Sequence, residues 1–121
     1  MDRRHALGIQ GERIAAEFLR ANGYRLLDAR ARTIAGEIDL VAIAGGEVVF
    51  VEVKTRRSEA FGLPEEAITA TKRSRLRRSA LAWLAARGRG GAVYRIDVIA
   101  VLVQKGRAPV VRHHRHAVGC A

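Results

Sequence analysis

Gly36-Glu37-Ile38-Asp39-Leu40-Val41-Ala42-Ile43-Ala44-Gly45-Gly46-Glu47-Val48-Val49-Phe50-Val51-Glu52-Val53-Lys54-Thr55 is the stretch on which the reading of this chain turns. Residues 37–44 and 47–55 are rich in Val and Ile and flank Gly45-Gly46. A Gly-Gly pair between two such runs signals a β-hairpin, because the favoured two-residue turn needs positive φ at both positions. With Gly45-Gly46 as the turn, Ala44 faces Glu47, Asp39 faces Glu52 and Glu37 faces Lys54. Side chains alternate along a strand, so Glu52 and Lys54 share a face with Val48 and Phe50, and Asp39 and Glu37 project to that face. A four-residue loop over residues 44–47 keeps this register; a three-residue loop shifts it by one and sends Asp39 to the other face.

Directly opposed side chains have Cβ atoms roughly 4.5–5.5 Å apart, and like charges there are destabilising. Asp39 against Glu52 therefore calls for a cation. Hard oxygen donors suit Mg²⁺ or Mn²⁺, and Lys54 beside such an ion can meet a phosphate oxygen or the attacking water. A metal that lowers the pKa of its bound water and screens phosphate charge completes the parts needed to hydrolyse a phosphodiester. The alternative is an exposed hairpin whose outer charges are solvated and nearly neutral in energy. Against it, the strands are apolar on both faces, with Leu40, Val49, Val51 and Val53 on one and Val41, Val48 and Phe50 on the other. Interior strands have that pattern, and charges set among them are costly unless something compensates them.

Working outward, residues 9–22 have helical spacing, with Ile14, Ala15, Phe18 and Leu19 on one face and Gly23 at the C-cap. Residues 24–32 read as extended. After a loop over 56–63, Pro64 followed by Glu65 and Glu66 marks a helix start. That helix runs to residue 86, with a break near 69–71 and an apolar stripe of Leu76, Ala80, Trp83 and Leu84. Residues 93–103 and 108–113 complete the strands. The order α-β-β-β-α-β-β predicts an α/β fold with a mixed sheet.

The 121 residues suit a single domain, with a core over 8–112 and a flexible basic tail over 113–121. That tail holds His113, His114 and His116, whose neighbouring positions point in different directions and do not close a metal site. Lys and Arg number 22 against 12 Asp and Glu, a net charge of +10. Such a balance points to a polyanionic partner, above all nucleic acid. The sole cysteine, Cys120, excludes a disulfide framework within one chain. With no apolar leader or membrane-length apolar run, the expectation is a cytoplasmic protein without a membrane partner.

Gly36-Glu37-Ile38-Asp39-Leu40 followed by Phe50-Val51-Glu52-Val53-Lys54-Thr55-Arg56 resembles the PD-(D/E)XK nuclease superfamily. The Gly11-Glu12 helix with Ala15, Ala16 and Leu19, Gly23-Tyr24, Gly62 with Pro64, Lys72, and Arg95 with Asp97-Val98 resemble more narrowly the YraN-like bacterial family, related to archaeal Holliday-junction resolvases. The likeness extends over residues 11–101. It implies a restriction-endonuclease-like fold, a central mixed sheet flanked by helices on both sides. It also implies Mg²⁺ (or Mn²⁺) held by Asp39, Glu52 and the Val53 carbonyl, with Lys54 orienting or activating water. A further glutamate from the first helix matches Glu17, with Glu12 as the other choice. A homodimer follows by analogy with resolvase-like enzymes. Ile38 stands where the superfamily pattern has proline.

Other residues take subsidiary expectations. Lys72, Arg73, Arg77 and Arg78 on one helix, with Arg56 and Arg57 beyond the hairpin, are candidate phosphate contacts, or else a solvated helix face. Asp97 inside an apolar strand requires a partner, for which an arginine is the natural choice. The expected function is metal-dependent endonucleolytic cleavage of DNA, including branched or structured DNA. The alternatives are a non-catalytic nucleic-acid-binding module and a partner-binding scaffold in recombination or DNA uptake.

Overall fold

Glycine at both turn positions sets the register from which the rest of the sheet is built. A computed structural model of the chain describes residues 3–58 and 68–118. Its elements are α1 (Arg3–Ala21), β1 (Arg25–Thr33), β2 (Gly36–Ala44), β3 (Glu47–Arg56), α2 (Ala70–Ala86), β4 (Tyr94–Leu102) and β5 (Val110–Val118). Gly45 and Gly46 have φ of 58° and 77°, as the turn requires. The β2–β3 ladder runs from Ala44–Glu47 to Leu40–Val51 in the expected register. The expected helix start at Pro64, Glu65 and Glu66, the Gly62 position, and Cys120 lie outside the described residues.

The five strands lie in sequence order, antiparallel except for the parallel pair β3–β4. Parallel neighbours need a crossover, and α2 supplies it across one face. There Leu76, Ala80, Trp83 and Leu84 pack on Ile38, Val41, Val48, Phe50 and Ile96. On the other face, Ala15 and Leu19 of α1 pack with Tyr24 on Leu40, Ala42, Val49, Val51, Ile99 and Val101. With both faces covered, β3 and β4 are the Val- and Ile-rich strands. Among the described residues no helix is long and apolar enough to cross a membrane.

α1 reaches the sheet through Gly11, Ala15 and Leu19. At Gly11 the approach is as close as backbone permits. A Cβ there would collide with Thr55 Oγ1 and lie 2.7 and 2.8 Å from Thr55 Cγ2 and Cβ. α2 begins where the sequence suggested a break: Thr69 caps it, its Oγ1 accepting from the Lys72 N–H at 3.1 Å.

Residues 113–118, expected to be tail, instead form most of β5. The cause is Asp97, which is completely buried on β4. Its carboxylate receives Arg95 Nε at 3.0 and 3.1 Å, His113 Nε2 at 2.8 Å and the His116 N–H at 3.0 Å. Arg95 extends the network to Glu47 at 2.7 Å and to the Tyr24 hydroxyl at 2.6 Å. The His113 ring meets Phe18 and Tyr24 edge-on. Burial alone raises the Asp97 pKa, but the His113 and His116 hydrogen bonds and the Arg95 charge outweigh it, and the pKa lies below its ordinary value.

Two predictions follow from the packing. Gly11→Ala will destabilise the fold by about 1–3 kcal/mol, the usual cost of overpacking, seen as a lower urea midpoint. Asp97→Ala will cost roughly 3–5 kcal/mol at neutral pH by breaking a buried ion pair, leaving Arg95, among the described residues, with Glu47 alone as its carboxylate partner and the His116 N–H without its acceptor. Because the native pKa of Asp97 is depressed, its contribution is present above the ordinary carboxylate pKa and is lost as pH falls through the native one. The deficit of the variant should therefore shrink in acid.

Candidate active site

The β2–β3 ladder stops at Leu40–Val51, one residue short of Asp39. There Asp39 Oδ2 accepts the Val53 N–H at 2.8 Å, so a side-chain oxygen replaces a backbone carbonyl as partner of β3. Strand alternation breaks at the same point: Ile38 packs toward α2, yet Leu40, two residues on, packs toward α1. Opposite on β1, Arg30 has φ 49°, and the paired residues Ala29–Leu40 and Ala31–Ile38 flank it. β2 thus twists away from β3 at Asp39. In a strand the N–H and C=O of one residue point the same way, so the Val53 carbonyl also faces the parting strands.

A cleft of about 700 Å³ opens there, its lining including Glu12, Asp39, Glu52, Val53 and Lys54. Asp39 lies in line with the ladder. Glu52 stands on the α2 side, its side chain 6% exposed, with Lys72 Nζ at 3.3 Å and Lys54 Nζ at 3.8 Å. Glu12 enters from α1 and is held by Arg30 Nε at 3.0 Å. Burial first, then the Glu52 charge, raises the Asp39 pKa from 3.8 to about 7; Glu12 adds to the rise, and the Val53 N–H and Lys72 only partly oppose it.

Cations line the cleft, but Lys54 and Lys72 are paired with Glu52, and Asp39 is the carboxyl left under-compensated; oxygen donors of this kind suit a hard divalent cation. Asp39, Glu52 and the Val53 carbonyl offer oxygen donors at the parting strands. Among the described residues no three His, Cys, Asp or Glu side chains form a ready cage.

Other expected site residues are distributed differently. Glu17 is exposed on α1, and Glu12 lines the cleft. At about 100° per residue, Glu12 is about 60° from the buried centre of α1 at Ala15, and Glu17 about 160°. Lys72 comes to the site as the partner of Glu52. Arg56 and Arg57 are exposed along the cleft. Arg73 lines a separate small pocket with Ile68, Val98 and His114. Arg77 is half-buried and Arg78 exposed, so these four expected contacts on α2 do not form one stripe into the cleft. Arg4, which lines the cleft, and Arg30, which holds Glu12, were not singled out by the motif, because their approach depends on the placement of α1 and on the twist in β1.

The raised Asp39 pKa sets a sign. Between about pH 4 and 7 the native state holds a proton that the unfolded chain has released, so metal-free stability from this group falls as pH rises through that window. Asp39→Asn removes the slope. In EDTA its melting temperature should exceed that of the wild type at pH 8 and approach it at pH 4, read by thermal unfolding across the range.

Residues 11–101 match the family model "Uncharacterised protein family UPF0102". A UPF0102 protein of Beutenbergia cavernae is 47% identical over 115 residues, covering 95% of this chain and 98% of the relative. One from Nocardia farcinica is 46% identical over 110 residues, covering 91% and 87%. One from Trichlorobacter lovleyi is 44% identical over 117 residues, covering 96% and 92%. With the family model spanning the cleft residues and such relatives spanning nearly the whole chain, the protein belongs to the UPF0102 family.

Proposed function

We propose that the protein is a Mg²⁺- or Mn²⁺-dependent endonuclease that hydrolyses phosphodiester bonds in DNA, branched or structured DNA included, in the cytoplasm. The observation that carries this reading is the crowding of Asp39 and Glu52 beside Lys54 and Lys72 where β2 leaves β3. Asp39, Glu52 and the Val53 carbonyl would hold the metal. Bound there, the ion lowers the pKa of water and screens phosphate charge.

The chain's own groups account for the rest. The Asp39–Val53 hydrogen bond holds one carboxylate at the strand gap, and Lys72 holds the other from α2. Lys54, on the same side of β3 as Glu52, is placed to donate to a phosphate oxygen or to the attacking water. Its compact ammonium suits that task better than a guanidinium would. Arg56 and Arg57 continue the positive charge outward to neighbouring phosphates, which position a strand without reading its sequence. Glu12 at the α1 wall is the third carboxylate, set to accept a hydrogen bond from water.

The test is cleavage of branched, single-stranded and duplex DNA with Mg²⁺ or Mn²⁺. Asp39→Ala and Lys54→Ala are each expected to lose roughly 10²–10³-fold in rate, the scale for removing one electrostatic element from an active site. Chelation should abolish cleavage in the wild type. Cleavage undiminished in both variants would end the assignment. Salt-sensitive binding without metal-dependent cleavage would instead identify a non-catalytic nucleic-acid-binding module.

A further inference from the structure

The turn joining β1 to β2 presents Ile34 wholly to solvent, at 102% relative exposure, more than Leu81, Val93 or Val110. Turn positions ordinarily carry Gly, Asn, Asp, Pro or Ser. This turn is also locked. Thr33 Oγ1 donates to the Gly36 carbonyl at 2.7 Å and accepts from the Ala35 and Gly36 N–H groups, each at 3.1 Å. Gly36 is seated on α2, where a Cβ would lie 3.0 Å from Ser79 Oγ. The fold thus holds an isoleucine outward on a braced tip.

The tip lies at the cleft end of the sheet, because β2 starts where β3 ends. A second depression of about 340 Å³, walled in part by Arg4, His5, Arg30 and Arg32, shares Arg4, Gly8 and Glu12 with the first cleft. A trough therefore runs from Lys54 and Arg56 to the foot of the hairpin, its arginines outnumbering the interleaved Glu12 and Glu37 with which Arg30 and Arg32 pair. The Arg32 side chain is 90% exposed, 3.9 Å from Glu37.

We infer that the β1–β2 hairpin is a second nucleic-acid contact, in which Ile34 presses against an unstacked base of the strand whose phosphates follow the trough. This rests on the nucleic-acid reading above but not on catalysis. Three strand residues separate Asp39 from Gly36, about 10 Å at roughly 3.3 Å each, or about three base steps at 3.4 Å. Apolar wedges of this kind work by opening a base step. The cost is least where bases are already unpaired, so the device favours branched or flapped DNA over intact duplex.

The experiment places 2-aminopurine, which brightens on unstacking, at successive positions along a flapped DNA. Wild type, Ile34→Ser, Asp39→Asn and Val93→Ser are compared, the last an exposed apolar change at the opposite end of the sheet. Wild type, Asp39→Asn and Val93→Ser should brighten a probe at the same position. Ile34→Ser should abolish the signal and weaken flap binding by about tenfold, the scale for losing the burial of one large aliphatic side chain, at unchanged melting temperature and with little effect on duplex binding. Equal brightening and affinity with Ile34→Ser, or no brightening at any position, overturns the inference. Brightening without Mg²⁺- or Mn²⁺-dependent cleavage supports the hairpin contact and removes the nuclease reading. Cleavage without brightening does the reverse, and a wild type that does not bind DNA overturns both.

Discussion

The hydrogen bond from the Val53 N–H to Asp39 Oδ2 is the hinge of the structure. A ladder that continued past Leu40–Val51 would bury its backbone groups in ordinary pairs and leave no opening. By substituting a carboxylate for a carbonyl, the chain keeps the Val53 donor satisfied, as a buried N–H requires, while letting β2 turn away. The cleft, the reversal of facing between Ile38 and Leu40, and the left-handed backbone at Arg30 belong to that one departure.

The sheet treats two aspartates, the buried Asp97 and the half-buried Asp39, in opposite ways. Asp97 has a guanidinium, an imidazole and a backbone donor, and its pKa is lowered. Asp39 has one backbone donor and two nearby carboxylates, and its pKa is raised to about 7. Since the same fold fully compensates one aspartate, the shortfall at the other is a local property of the cleft. The cations there, Lys54 and Lys72, are turned to Glu52 instead. The two carboxylates thus differ in whether positive charge is built in beside them, as at Asp97, or directed elsewhere, as at Asp39.

Much of this was legible in the sequence, for identifiable reasons. Gly45-Gly46 specifies its turn by backbone freedom alone, and the register follows from it. The central strands announce themselves by being apolar on both faces. β5 was not legible beyond residue 113, because a His- and Arg-rich run has no apolar alternation; its order comes from Asp97, sixteen residues before His113. The choice between Glu12 and Glu17 was open to a helical-wheel argument centred on Gly11, Ala15 and Leu19. Two neighbouring apolar residues, Ile14 and Phe18, drew the expected face toward one flank. The arginines of α2 were grouped by sequence proximity, although successive helical positions diverge around the axis.

Gly11 has a consequence for how the cleft meets whatever enters it. Because its missing side chain is already filled by Thr55, α1 has no room to move inward over β3, and Glu12, the next residue, is carried at a fixed stand-off. The α1 wall of the cleft is therefore a fixed boundary on the inward side, and the width between Glu12 and β3 is set by the Gly11–Thr55 contact.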